Sequence, residues 1–435
     1  MGLRPPGQDQ GQGVPDLLVV GRRQALAALV ASRQVHPLIP AAGVGPAPAA
    51  LAPLADVRPT APSLGFYVHV PFCERRCHYC SFNTAAIEAH DAVERFLEAL
   101  HRELALLAGL PWAPATTIAT IFLGGGTPSL LPPADLAGIL DAVRDAFAVA
   151  PGAEITVECN PESASRERLE GYRAAGVNRV SLGVQSLDDA LLDRLGRLHD
   201  ARRARAAFEA AREAGHDNVS VDLMYGLPGQ DAATWARTVD EVLRWRPDHL
   251  SAYGLTLDAG SAWAGGGVDG LPPEDVVVEQ YWTLARAAAA AGLEHYEISN
   301  YARPGRRARH NEIYWRAAEY LAAGPGACGF VGDLRYGNAR ALPRYRAVLE
   351  AGRLPVEAQE RLDARQRLGE RLILGLRTSD GVAASWLDER LAAEPALAGR
   401  VASWEQEGLL RRAGDRVGLT EAGFLVSDAL FVELL

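Results

Sequence analysis

Between residue 65 and about residue 300, short runs rich in β-branched and aromatic residues alternate with longer amphipathic stretches, and this alternation restricts the fold most. The strand-like runs are Gly65–Pro71, Thr120–Leu123, Glu154–Glu158, Arg179–Val184, Asn218–Met224 and His249–Leu255. Between them apolar residues recur at helical spacing. Val93, Phe96, Leu97, Leu100, Leu104 and Leu107 share one face, as do Leu136, Ile139, Leu140, Val143 and Phe147. Gly176 and Gly215 fall where two of these helices need a left-handed residue to end. Strands that return parallel to one another need right-handed crossovers, so six such units predict an α/β fold. One parallel sheet curls into a barrel or partial barrel with helices outside. Ligands of such sheets gather beyond the C-terminal strand ends. Cys73, Gly124–Thr127, Glu158, Gln185 and Asp222 all follow strands, where a site is expected.

The flanks read differently. Residues 1–60 are rich in Ala, Pro and Gly without periodicity and predict a disordered extension. The barrel is expected over 61–304 and a C-terminal domain over 305–435. In the latter, 363–376 has the pattern of an amphipathic helix, and 397–435 reads as helix, hairpin through Gly414-Asp415, and helix. That order is winged-helix-like. Lacking a basic recognition helix, it suits packing better than DNA binding.

Charge and composition exclude several functions. With a net charge of −10 and no arginine-dense block, a nucleic-acid partner is not expected. The chain has no lysine, so all 44 basic residues are arginine, which rules out a lysine Schiff base and a Walker-A lysine. No run approaches the ~20 apolar residues of a membrane span, and no secretory signal is recognisable, so a cytoplasmic location is expected.

Of five cysteines, Cys73, Cys77 and Cys80 lie in one C-x-x-x-C-x-x-C loop, while Cys159 and Cys328 stand alone. A disulfide scaffold would be shorter and richer in cysteine. Three thiolates on one loop suit three irons of a 4Fe-4S cubane and leave the fourth iron open, as a reactive cluster requires. Structural zinc is the alternative, but it needs a fourth ligand, and His78, between two cysteines, is poorly placed to supply it.

This loop, with Tyr79 before its third cysteine, resembles that of the radical S-adenosylmethionine (SAM) superfamily. The resemblance implies SAM chelating the open iron and cleaved by one electron to a 5′-deoxyadenosyl radical. Gly124–Pro128, right after a strand, is similar to the superfamily's glycine motif at the SAM amino group. Over residues 66–435 the resemblance narrows to oxygen-independent coproporphyrinogen III oxidase and its relatives, on Tyr67–Cys73, Gly124–Pro128, Val184–Ser186 and Asp222–Pro228. Carried over residue by residue, Tyr67, Tyr79, Gly125, Gly126 and Thr127 line SAM, Glu158 faces its ribose or amino group, and Gln185, Arg197 and Asp222 complete the pocket.

The oxidase has a further cysteine two residues after the third. Here that position is Phe82, and Cys80-Ser81-Phe82 is similar to the HemW-type haem chaperones instead. So are His310–Trp315, Tyr320, Gly324–Ala327 and Leu419–Gly423, with Ala322, Ala323 and Cys328 as departures. The resemblance implies haem as a third ligand, with His310 as its ligand or direct contact and Cys328 as a rival. It implies delivery to acceptor haemoproteins, membrane-associated respiratory ones among them, and a homodimer as one assembly. The alternative is an enzyme, either an oxidase-like decarboxylase or a radical SAM methyltransferase. Cys159, before Asn160-Pro161, reads as a small buried hydrophobe.

Overall fold

A computed structural model describes residues 52–87 and 91–434. Six strands, β1 (Ser63–Val70), β2 (Thr117–Gly125), β3 (Ala148–Cys159), β4 (Arg179–Gln185), β5 (Val219–Tyr225) and β6 (His249–Gly254), pair in sequence order, each parallel to the next. Helices α1 (Ala92–Ala108), α2 (Pro133–Ala146), α3 (Arg166–Ala175), α4 (Asp189–Leu195), α5 (Ala201–Glu213) and α6 (Ala232–Arg244) fill the connections. The expected face of α1 is the buried one: Phe96, Leu100, Leu104 and Leu107 reach the main core. Gly176 ends α3 at φ 108°, where a side chain would be strained. The six parallel strands and their helices form the α/β partial barrel expected from the sequence.

The sheet does not stop at the expected boundary of 304/305. Past α7 (Glu274–Ala290) come β7 (Glu294–Glu297) and β8 (Asn300–Ala302); β8 adds antiparallel to β6, and β7 pairs antiparallel with the outer side of β8. After α8 (Arg309–Trp315) the chain returns to the opposite edge, where β9 (Tyr320–Ala323) lies parallel to β1. An antiparallel meander of β10 (Cys328–Val331), β11 (Leu334–Asn338) and β12 (Val356–Arg361) completes twelve strands. Four- to six-residue strands carry too little alternation to be told from loops. What fixes them is the open edge of β1, which would otherwise leave backbone groups unpaired.

Residues 52–60, expected within the disordered extension, are packed. Leu54 and Val57 are buried, Trp112 Nε1 donates to the Leu54 carbonyl at 2.9 Å, and the Glu319 carboxylate accepts from the Thr60 and Ala61 amides at 2.8 and 2.7 Å. The rest of that expectation, residues 1–51, lies outside the described residues.

After α9 (Leu342–Glu350) and β12, the C-terminal part runs α10 (Ala364–Leu376), β13 (Val382–Ala383), α11 (Ala384–Ala393), α12 (Ala396–Gln406), β14 (Leu410–Ala413) and β15 (Arg416–Leu419). Its sheet order is β13-β15-β14. This is winged-helix connectivity. Its own core holds Leu372, Leu376, Leu387, Trp404 and Phe424, and it meets the barrel through Val278 of α7. Arg400 is the one basic residue of α12, in keeping with a packing role. Among the described residues no helix is long and apolar enough to cross a membrane.

Candidate functional site at the barrel mouth

Cys73 follows β1, and the loop it opens is pinned from several sides. A short bridge pairs Phe72 and Cys73 with Ala85 and Ala86. The Cys80 amide turns back onto the Cys77 carbonyl at 3.2 Å. His78 is fixed to the end of α4: its amide donates to the Leu195 carbonyl at 3.0 Å, and its Nδ1 meets the Arg194 carbonyl at 2.9 Å. His78 is thus engaged away from the thiols. Arg76 Nη2 donates to the Gly260 carbonyl at 2.9 Å, and Ser81 to Asp258 at 3.0 Å. All three thiols are half-buried, and burial pushes those of Cys73 and Cys80 up.

The glycine run at the end of β2 lies directly against this loop. The Gly126 and Thr127 amides donate to the Val70 and Phe72 carbonyls, each at 2.7 Å. A Cβ on Gly126 would stand 2.5 Å from the Phe72 carbonyl oxygen, and Gly125 has φ 108° with the His69 ring where its Cβ would be. These glycines are therefore required by backbone approach to the cysteine strand, besides any ligand.

From Thr127 a chain of hydrogen bonds runs around the loop. Thr127 Oγ1 donates to Cys73 Sγ at 3.5 Å and accepts from Asn160 Nδ2 at 3.0 Å. Arg197 Nη2 donates to Asn160 Oδ1 and to the Gly183 carbonyl, both at 2.7 Å, while its Nη1 donates to Cys77 Sγ at 3.5 Å. Among the described residues, the buried Arg197 Nε has no hydrogen-bond partner. Sequence reasoning missed Asn160; its position just past the end of β3 was the available signal.

Inside the barrel, Glu158 Oε2 accepts from the Gly125 amide at 3.1 Å. Asp222 accepts from Ser181 at 3.0 Å and Ser220 at 3.3 Å. Burial, then the Asp222 charge, push the Glu158 carboxyl up to about 7; burial raises Asp222 too. The buried Arg179 guanidinium opposes both shifts and is a second residue the sequence reading passed over. Tyr67 bonds His69 Nδ1 at 3.0 Å, and His69 Nε2 meets the Asn83 carbonyl at 2.8 Å. Tyr79 packs toward Trp263, with ring centres 6.5 Å apart. Gln185 holds φ 65°, a left-handed conformation costly for a side chain and typical of functional sites.

His310 does not belong to this constellation. It is 1% exposed, its Nδ1 meets Thr120 Oγ1 and its Nε2 the Tyr314 hydroxyl, both at 2.7 Å, and its ring stacks on Phe122. The Glu154 carboxylate caps the start of α8, accepting from the His310 amide at 2.9 Å. Burial lowers the imidazole to about 3, so it is neutral with both nitrogens engaged. An axial haem ligand needs a free ring nitrogen, and in this conformation Thr120 and Tyr314 engage both nitrogens of His310. Trp315 is likewise covered, with the Arg377 guanidinium 4.5 Å from its ring centre. Cys328 is half-buried, and its thiol donates to the Gly326 carbonyl at 3.8 Å. Cys159 is buried, as expected.

The arrangement suits a cubane better than a single ion. Among the described residues no three His, Cys, Asp or Glu side chains converge as on one metal ion. The three thiols instead lie along one loop with donors aimed at two of them, and Arg197 Nε and the two carboxylates would be the polar groups open to a charged cofactor beside it.

Comparison with known proteins agrees. The Radical SAM superfamily profile matches residues 67–242, and the HemN C-terminal domain profile matches 362–426. The protein named heme chaperone HemW of Mycobacterium tuberculosis is 41% identical over 378 residues, covering 85% of this chain and 94% of that one. The Bacillus subtilis protein of the same name is 32% identical, covering 84% and 97%. The solved coproporphyrinogen III oxidase of Escherichia coli superposes with a TM-score of 0.76 at 24% identity, covering 87% of this chain and 90% of that one, which is a likeness of fold. Radical SAM membership carries a 4Fe-4S cluster and SAM with it. With 41% identity spread over nearly the whole of a relative, and with the three-cysteine loop standing at the mouth of the barrel, the chain belongs to the HemW family of haem chaperones within the radical SAM superfamily.

Proposed function

We propose that this chain binds haem and delivers it to acceptor haemoproteins, with a 4Fe-4S cluster on Cys73, Cys77 and Cys80 and SAM beside it. The observation that carries the reading is the near-complete coverage of relatives named haem chaperones. Phe82 supports it: 65% exposed, it offers no thiol where the oxidase loop has one. The protein works in the cytoplasm, with membrane-associated respiratory haemoproteins among its acceptors and a homodimer as its assembly. Of the two candidate haem ligands, Cys328 has the donor atom without a strong partner, and thiolate ligates haem iron.

The test is a haem titration of wild type, His310→Ala and Cys328→Ser, followed by transfer to an apo-haemoprotein. A Soret band kept in His310→Ala and displaced in Cys328→Ser is expected. Failure of wild type to bind haem, or conversion of coproporphyrinogen III by the reconstituted protein, would overturn the reading.

Glu158 and Asp222 are assigned to SAM. Removing either as alanine takes away a charged hydrogen-bond partner, about 1.5–3 kcal/mol, or roughly 10- to 150-fold in affinity, with iron retained. Because burial and Asp222 raise the Glu158 carboxyl to about 7, the carboxylate that would accept from the amino group or ribose hydroxyls of SAM forms only as pH rises through that value. SAM affinity should therefore climb through about pH 7 in wild type and stay flat there in Glu158→Gln, as read by equilibrium binding.

A further inference from the structure

The donors to Cys73 and Cys77 are joined through one side chain. We infer that Asn160 is a positioning residue that orients both of these hydrogen bonds and thereby holds up the reduction potential of the cluster. The inference rests on the reading that these cysteines carry the 4Fe-4S group.

A primary amide places a donor on one arm and an acceptor on the other, and both are used here. Nδ2 donates to Thr127 Oγ1, which leaves the hydroxyl proton free to point at Cys73 Sγ. Oδ1 accepts from Arg197 Nη2, and the guanidinium so held directs Nη1 at Cys77 Sγ. Turning the amide over would set its NH2 against the arginine and its oxygen against Thr127, so its orientation is fixed by its neighbours. The backbone is held independently: the Asn160 amide donates to Ser129 Oγ at 3.1 Å, and its carbonyl accepts from the Ser163 amide at 3.0 Å. A change of side chain therefore alters the relay and leaves the turn in place.

Hydrogen bonds to ligand sulfur stabilise the electron-rich reduced cluster and raise its potential. Asn160→Asp is isosteric but accepts on both arms. Thr127 would turn its proton toward the carboxylate and away from Cys73, while Arg197 stays. Asn160→Ala removes both anchors without adding charge. The experiment is a redox titration of the full-length, anaerobically reconstituted protein, followed by electron paramagnetic resonance, with iron counted in each sample. We expect a lower midpoint potential in both variants at wild-type iron content. An unchanged potential in Asn160→Asp would overturn the inference, as would loss of iron from both variants, which would place Asn160 in cluster assembly. Absence of iron from wild type would overturn the cluster assignment itself, and the inference with it.

Discussion

Alanine at Cys73, Cys77 or Cys80 should take the anaerobically reconstituted protein from about four irons per chain, the content of one cubane, to near none. The cause is elementary: each thiolate holds one corner, and among the described residues no spare ligand stands by to replace it. His78, the nearest imidazole in the loop, is hydrogen-bonded to the end of α4. Cys159 is buried under the sheet end, where burial pushes its thiol up to about 12 and keeps it protonated. The fold should survive, because the loop is pinned by bonds that do not involve the thiols: Arg76 to Gly260, Ser81 to Asp258, and the His78 amide to Leu195. Iron analysis with circular dichroism checks both halves. Full iron in all three variants would remove the cluster from this loop.

His310→Ala is expected to cost about 3–5 kcal/mol of folding stability, because it opens a buried space and strands one buried and one half-buried hydroxyl. These are Thr120 Oγ1 and the Tyr314 hydroxyl. The loss has a pH signature. Inside the fold this histidine stays neutral down to about pH 3, whereas the unfolded chain takes up a proton near the ordinary pKa of about 6.5. The unfolded state thus binds more protons in that window, and the stability His310 provides, whole above about pH 6.5, drains away as pH falls toward 3. The gap between wild type and His310→Ala should narrow over the same range in denaturant titrations. His249, also lowered by burial, adds a slope of the same sign to both proteins and cancels in the difference. A gap independent of pH would mean that the imidazole takes up its proton as readily in the fold as in the unfolded chain, and the structural assignment would fail.

The helix faces and strand runs of the barrel were legible because each is a local pattern repeated over many residues. Phe96, Leu100 and Leu104 are buried on α1 as their spacing required. The cluster loop was legible because its chemistry lies within eight consecutive residues, Cys73 to Cys80. Glu158 and Gln185 could be picked out near the C-terminal ends of strands, since parallel sheets turn those ends toward one mouth, whereas Asp222, expected after a strand, lies in the middle of β5. Asn160 and Arg179 carried no such mark. An asparagine before proline and an arginine at a strand start are ordinary, and only the curl of the sheet sets one between Thr127 and Arg197 and the other beside the carboxylates.

The sequence by itself determined the six βα units, the three-thiol loop and the family to which they belong. It could do so because hydrophobic period, helix ends and cysteine spacing are properties of neighbouring residues. Only the tertiary structure decided that residues 320–361 extend the barrel sheet, that 52–60 pack against it, and that both ring nitrogens of His310 meet hydrogen-bond partners. Each of those outcomes depends on partners far along the chain: β1 for Tyr320, Glu319 for Thr60, Thr120 for the His310 ring. Burial and hydrogen-bond satisfaction are settled by what arrives from elsewhere, and no local pattern records it.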